Sequence, residues 1–574
     1  MRKPLFTHPV IVAAFLFFIA CTEDPGQIKI NQIGYYPNAP KIAVIPGQLS
    51  GSFQIVEAGS GEVVYGGDLS DPQEWPYSGE WVTQADFSEL TEAGRYRLEQ
   101  GDAAISYEFE IRDEIFRELS AALIKAFYYN RASTELSEEY AGKWARPAGH
   151  PDDQVQIHES AATAVRPAGT ALASPKGWYD AGDYNKYAVN SGIATYTILA
   201  AYEHFPSFYQ DLSLNIPESG NGVPDILNEA RWNLDWLMTA QDPEDGGVYH
   251  KVTSLDFSGV VMPHEDQANR YAVMKSTAGS LNFAAVMAVA SRIFREFDPE
   301  FSEAAIRAAE AAWEWAVENP EQIYIQPPDV HTGAYGDRTV TDEFTWAAAE
   351  LYITTGDDAY WQAGNFRQAT IGVPSWVSVG PLAWISLAHH REDLTEAADV
   401  SMIEERIRQQ GNTLLYEYGQ SAYGVSMGRY GNQDFVWGSN GVISNHSMML
   451  IQAYRLDREE RYLEATLSNL DYILGRNAVG ISFVTGFGSR SPMFPHHRQS
   501  AADGVTDPVP GFVVGGPQPG QQDSCEYPSD LPALSYLDDW CSYSTNEVTI
   551  NWNAPLIYTA GAIEYYYGGN ARSR

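Results

Sequence analysis

The hydrophobic period of this chain changes near residue 113, and that change limits its architecture more than any other feature. Beyond it, "IFRELSAALIKAFYYN" sets apolar residues at 115, 119, 122, 123 and 126, one face of an α-helix. Comparable patterns recur at 187–204, 225–240, 277–297, 302–318, 342–354, 380–390, 399–417, 441–456, 459–474 and 555–567, with a weaker one near 358–369. Eleven helices and a twelfth, joined by long loops rich in Gly, Pro, Asp and Trp, predict six α-hairpins in a ring. The expectation is a mainly α chain with a six-hairpin (α/α) toroid over residues 113–574. Residues 22–112 read instead as β. "KIAVIP", "SFQIVEAGSGEVVYGGDL" and "GRYRLEQGDAAISYEFEIR" are short β-branched and aromatic runs, and Tyr107, Phe109 and Ile111 alternate with polar residues. "AGSG" looks like a hairpin turn, and several short strands in this span predict a small immunoglobulin-like β-sandwich.

The first residues read as a leader. Arg2 and Lys3 precede "VIVAAFLFFIA", eleven apolar residues where a bilayer span needs roughly 20. Residues 1–21 therefore read as a signal peptide. "FIAC" resembles a lipobox, which predicts cleavage before Cys21, lipid on its sulfur, and an exported chain anchored to a bacterial outer membrane or cell surface. A plain signal peptide with a periplasmic or secreted product is the alternative. No later stretch reads as a membrane span.

A net charge of −39 excludes nucleic acid as a partner, because phosphate recognition needs a basic footprint. It also disfavours anionic polymers and leaves a neutral one as the easiest fit. The 15 Trp, 35 Tyr and 23 Phe are mostly core, but sugar clefts also use aromatic faces. After the leader only Cys525 and Cys541 remain, in a loop-rich region; a disulfide or two buried thiols are both open readings.

Two acidic clusters carry chemistry. "GWYDAGDYNKYAVNSG" sets Asp180 and Asp183 between glycines among Trp178, Tyr179, Tyr184 and Tyr187. The stretch reads either as a solvated turn or as a site that handles water and sugar. "YSTNEVTINWNAP" places Glu547 among amides and aromatics with no Lys or Arg within ten residues on either side. Such a carboxylate can keep its proton as a general acid does, although a solvated loop Glu is the alternative. The longest loop, about 476–554, carries "PHHR" and both cysteines. His496 reads as a binding residue, with core or surface packing as the other reading. Tyr249, Trp437 and Asn440 are candidate substrate-binding residues from the composition of their loops, with core packing as the equal alternative for each.

"SFVTGFGSRSPMFPHHR" resembles the histidine signature of glycoside hydrolase family 9. "GWYDAGDYNKY" is similar to that family's paired-aspartate motif, and "NEVTINWNAP" to its glutamate motif. "DPEDGGVYHKVT", "DEFTWAAAELYITTGD", "GRNAVGISFVTG" and "VVGGPQPGQQD" also resemble family segments, in family order, so the likeness runs from about residue 27 to 567. The branch it resembles carries an N-terminal immunoglobulin-like module. The resemblance implies a toroid with an open cleft that hydrolyses β-1,4-glucans with inversion. It implies Asp183 as base, Asp180 as the partner that holds the attacking water, Glu547 as acid, and His496 and Arg498 as ligands of sugar hydroxyls. Inversion does need one carboxylic acid and one carboxylate. Alternatives are an exo-acting cellodextrinase, glucosidase or glucosaminidase, a xyloglucan- or mixed-linkage-specific endoglucanase, or a non-catalytic carbohydrate-binding surface protein. A monomer acting on a β-glucan is expected.

No cofactor is required for that chemistry. Relatives often bind structural calcium, and acidic loops such as "GDRTVTDEF" could supply oxygen ligands, but solvated surface acids are the favoured reading of any one of them. Relatives with this N-terminal module often carry a Cys/His zinc site. Here "ARPAGHPDDQVQIHESAA" keeps His150 and His158 but there is no cysteine from 22 to 524, so zinc is predicted absent.

Overall fold

The computed structural model describes residues 27–101, 104–428 and 431–568, so the leader and Cys21 lie outside the described residues. The N-terminal strands form two sheets. One runs in the order Gly34–Tyr35, Phe109–Ile111, Gly94–Gln100, Ser52–Glu57, Val63–Asp68; the other joins Ile42–Pro46, Glu80–Asp86 and Gln73–Trp75. Their inward residues, among them Ile45, Phe53, Ile55, Ala85, Leu98 and Phe109, make one small core. The turn at "AGSG" closes the pairing of Ser52–Glu57 with Val63–Asp68, with Gly61 at φ 75° where a side chain would be strained.

Twelve helices of six residues or more follow among the described residues. They are α1 (Arg117–Tyr129), α2 (Ala188–His204), α3 (Asp225–Ala240), α4 (Thr277–Phe294), α5 (Pro299–Glu318) and α6 (Thr341–Thr355). The second half holds α7 (Asp358–Ala363), α8 (Gly380–His389), α9 (Val400–Gln420), α10 (Ser439–Asp457), α11 (Glu460–Ile473) and α12 (Ile550–Tyr567). The even-numbered helices pack in sequence, α2 on α4, α6, α8, α10 and α12, and α12 returns to α2. The odd-numbered ones lie outside this closed ring, each against an inner neighbour. The split follows from composition. In α5, Phe301, Ala305, Ala309, Ala312 and Trp315 face inward and the glutamates face water, whereas every residue of α4 except Arg292 is buried. By length and apolarity α4 could cross a membrane, contrary to the sequence reading, but it is a core helix of the ring.

Helix ends differ from the sequence reading where capping decides them. α5 begins at Pro299 because the Asp298 carboxylate accepts the Phe301 N–H at 3.1 Å and proline suits the first turn. α7 stops short of residue 369 at Gly364, with Asn365 in the left-handed region at φ 51°. α12 starts at Ile550 and carries Pro555 inside, which the sequence reading took as its start. A further sheet was not foreseen: Ala171–Leu172, Val155–Ile157, Tyr271–Ala272, Lys251–Thr253 and Lys186–Tyr187 pair at one mouth of the ring. Cys525 and Cys541 are joined as a disulfide, Cα atoms 6.2 Å apart.

Candidate active site

Three distant segments are knitted together by backbone hydrogen bonds at the ring mouth. The Ile550 N–H donates to the Asp180 carbonyl (2.9 Å), the Arg498 N–H to Gly182 (3.2 Å), and the His496 N–H to Asn546 (2.9 Å). His496 and Glu547 pair as a parallel bridge, and the Gly515 N–H donates to the Glu547 carbonyl at 2.9 Å. Gly182 is required for this approach: a Cβ there would lie 2.1 Å from the His496 carbonyl oxygen. Above the junction opens a cavity of about 960 Å³ whose wall includes Asp180, Asp183, His496, Arg498, Trp437 and Glu547.

The two aspartates are dressed differently. Asp180 accepts from Asn190 Nδ2 and from Tyr335 Oη, both at 2.7 Å, one on each carboxylate oxygen. Asp183 accepts from Asn185 Nδ2 (2.5 Å) and Tyr187 Oη (3.1 Å), both on Oδ2. Among the described residues no protein group donates to Asp183 Oδ1. Burial, and then the Asp183 charge beside it, push Asp180 upward, so this close pair tends to keep a proton on Asp180. Glu547 is held well above the ordinary carboxylate range by burial, then by Asp183 and Asp180.

His496 stacks on Trp540, ring centres 4.2 Å apart, and its Nδ1 donates to the Trp540 carbonyl at 2.8 Å. Burial pushes its pKa down, so the ring is neutral and Nε2 is left as an acceptor. Arg498 spends Nε on the Ser258 carbonyl and Nη1 on the Gly182 carbonyl, both at 2.8 Å, and keeps Nη2 without a protein partner among the described residues. Trp437, 41% exposed, stands on the wall beside Tyr543.

Tyr249 and Asn440 lie outside the cavity wall, which corrects the sequence reading of both. Tyr249 is 2% exposed; its hydroxyl donates to Asp242 at 3.1 Å and accepts from Arg166, so it is tied into a buried ion-pair cluster. Asn440 is 0% exposed and donates to the Val514 carbonyl at 2.8 Å, directly beneath Gly516. The sequence reading missed Tyr335, Trp376 and Phe257, which line the cavity. Their signal is weak: single aromatics in the loops "GAYGD", "VPSWVSVG" and "LDFSG".

The residues present do not fit zinc at His150 and His158. His150 engages Tyr179 Oη (2.8 Å) and Asp266 (3.2 Å), and His158 engages Ser160 and Asp329 (3.1 Å), so every ring nitrogen already has a separate partner. Glu203, His389 and His390 do come together, but Arg292 lies on both Glu203 oxygens at 2.7 and 3.1 Å and Arg455 donates to His389, so cations already fill that cluster. The "GDRTVTDEF" loop does fit a hard cation. Asp342 and Glu343 lie side by side, Glu343 raised by burial and then by Asp342. Glu343 Oε2 and the nearby Asp337 Oδ2 are buried without a hydrogen-bond partner among the described residues, a costly state for acceptor oxygens.

A closed (α/α) ring that gathers three carboxyl side chains, Asp180, Asp183 and Glu547, on one cavity suits a hydrolase of glycosidic bonds. Comparison with known proteins agrees. The family models "Glycosyl hydrolase family 9" and "Cellulase N-terminal ig-like domain" match residues 116–560 and 23–104. The xyloglucan-specific endo-beta-1,4-glucanase BoGH9A of Bacteroides ovatus is 43% identical, covering 95% of this chain and 96% of that protein. Endoglucanase D of Acetivibrio thermocellus is 32% identical over 94% of this chain and 84% of its own length. A solved structure described as Bacteroides ovatus GH9 superposes with a TM-score of 0.89 at 41% identity, over 94% of this chain and 99% of that one. The chain belongs to glycoside hydrolase family 9 and is a glycoside hydrolase with an N-terminal immunoglobulin-like domain.

Proposed function

We propose that the chain is an inverting endo-β-1,4-glucanase in which Asp183 is the base and Glu547 the acid. The observation that carries this reading is the unequal dressing of the three carboxyls. Asp183 offers the cavity an unpartnered oxygen; Asp180 is biased toward its protonated form; Glu547 keeps its proton. Asp183 takes a proton from water as that water attacks the anomeric carbon, Asp180 holds the water, and Glu547 protonates the departing oxygen. Arg498 Nη2 and His496 Nε2 are a donor and an acceptor for sugar hydroxyls. General acid or base catalysis contributes about 10²–10⁴ in rate, so Asp183→Ala and Glu547→Ala each lose at least that much. Glu547→Ala is partly spared on an aryl glycoside with a good leaving group and Asp183→Ala is not. NMR of the first anomer decides the stereochemistry, and an initial β product would refute inversion.

Xyloglucan heads the substrate panel because BoGH9A, the relative at 43% identity, is named for it. Initial rates on xyloglucan, mixed-linkage glucan, a soluble cellulose derivative and cellodextrins separate that reading from a general endoglucanase or an exo-acting cellodextrinase.

Two further parts of the reading stand beside the chemistry. Cys21 is proposed as a lipid anchor, on the order of charged, apolar and "FIAC" segments. A Cys21→Ser variant then leaves the membrane fraction with its activity intact, and an unlipidated, fully soluble wild type by mass spectrometry refutes the anchor. Calcium is proposed at Asp337, Asp342 and Glu343, where it neutralises buried carboxylates and so steadies the loop that carries Tyr335.

A further inference from the structure

The amide of Asn185 decides what Asp183 presents to the cavity, and an amide can face either way. Its Nδ2 donates to Asp183 Oδ2. Four donor groups surround its Oδ1: the Ser254 N–H at 3.0 Å and Arg270 Nη1 at 3.3 Å, and the hydroxyls of Thr253 (3.0 Å) and Ser254 (3.3 Å), whose single protons also face the Ser254 and Asp256 carbonyls at 2.7 Å. An amide oxygen only accepts and its NH2 only donates, so these donors fix the orientation. Turned over, the amide would set its oxygen against a carboxylate and its NH2 against Arg270. Arg270 is the one cation of the four donors, and it is anchored in turn. Its Nε donates to Asp152 Oδ1 at 3.2 Å, while Lys186 Nζ, adjacent in sequence to Asn185, pairs with Asp152 Oδ2 at 2.7 Å. All three are buried, and Asp152 and His150 hold left-handed backbone at φ 49° and 46°, a strained state that persists where contacts over-determine it.

We propose that Arg270, braced by Asp152, is a positioning residue for the base: it locks the Asn185 amide so that Asp183 Oδ2 is saturated and Oδ1 alone faces the water. The proposal rests on the reading of Asp183 as base. Asp180, Glu547, Tyr187, Lys251 and His496 also act electrostatically with Asp183, and none of them changes in the variants below.

The test is the pH profile of kcat/KM on a soluble β-1,4-glucan. Asn185 donates to the ionised form of Asp183, so loosening it favours the protonated base. In Arg270→Gln the acidic limb moves upward by about half a unit or more and kcat falls about tenfold, with KM little changed. Arg270→Lys restores part of the limb. In an Asn185→Ala background, Arg270→Gln adds no further shift, because the residue acts through that amide. A folded Arg270→Gln with the wild-type limb, or a full shift that persists in Asn185→Ala, overturns the proposal. If Arg270→Gln does not fold, Arg270→Lys takes its place, because one ammonium on a different stem does not reproduce the Nε–Asp152 and Nη1–Asn185 bonds together, and an unmoved limb there overturns the proposal equally. An Asp183→Ala variant that keeps its activity would refute the base assignment itself, a result visible without any Arg270 variant.

Discussion

At the scale of single residues, the site depends as much on a missing side chain as on the acids. Gly182 lets the "DAGD" turn rest on the carbonyl of His496, which in turn bridges to Glu547. The obstructing atom is backbone, so it cannot swing away. Gly182→Ala is therefore expected to separate the proposed acid from the proposed base, with kcat falling at least about 10²-fold, the low end for losing one of the pair. Steady-state kinetics beside a thermal melt checks this; a folded Gly182→Ala with wild-type kcat would show that the turn tolerates displacement. What was legible at this scale follows from chemistry packed into short motifs. Asp180, Asp183, Glu547, His496, Arg498 and Trp437 reach one cavity because their neighbours in sequence are also their neighbours in space. Arg270 and Tyr335 act from loops with no local signature, through partners far along the chain. Tyr249 and Asn440 misled because a buried aromatic or amide in a loop has the same composition as an exposed one.

At the scale of elements, inner and outer helices were legible through the same one-face pattern, but the fold uses them differently. The outer ones bury that face alone, as α5 does. The inner ones, such as α4, are buried on all sides except at Arg292, so the pattern located the helix without showing its place in the inner ring. The sheet that includes Lys186–Tyr187 and Lys251–Thr253 escaped because its strands are two or three residues long. The turn leading into α6 is the element where a cation matters. A ligand bound by the native state alone stabilises it by mass action, and Asp337, Asp342 and Glu343 exist as a group only in the fold. Added calcium is therefore expected to raise Tm and a chelator to lower it by several degrees, with Glu343→Gln insensitive to both. A Tm unmoved by calcium or chelator across the catalytic pH range would remove calcium from this turn.

At the scale of the whole molecule, buried histidines couple stability to acid. Burial pushes His250, His389 and His497 down to about 3, and holds His204 well below the usual imidazole range. Their folded values lie below the unfolded value of about 6.5, so the unfolded chain binds more protons across that interval. Stability from this source is full above about pH 6.5 and is lost as pH falls toward about 3. Acids raised in the fold, such as Glu547, work in the opposite sense, so the contribution is read as a difference. His250→Gln should lose less Tm than wild type between pH 7 and pH 4, and parallel curves would refute the coupling.

The return of α12 to α2 also orders events in time. Asp180 and Asp183 leave the ribosome early, while Glu547 emerges immediately before α12, the last ring element. Until α12 seats itself between α10 and α2, the inner ring has a gap and the proposed base lacks its proposed acid across the cavity. On that reading a nascent or truncated chain is catalytically silent, and activity appears in one step, when the circle shuts.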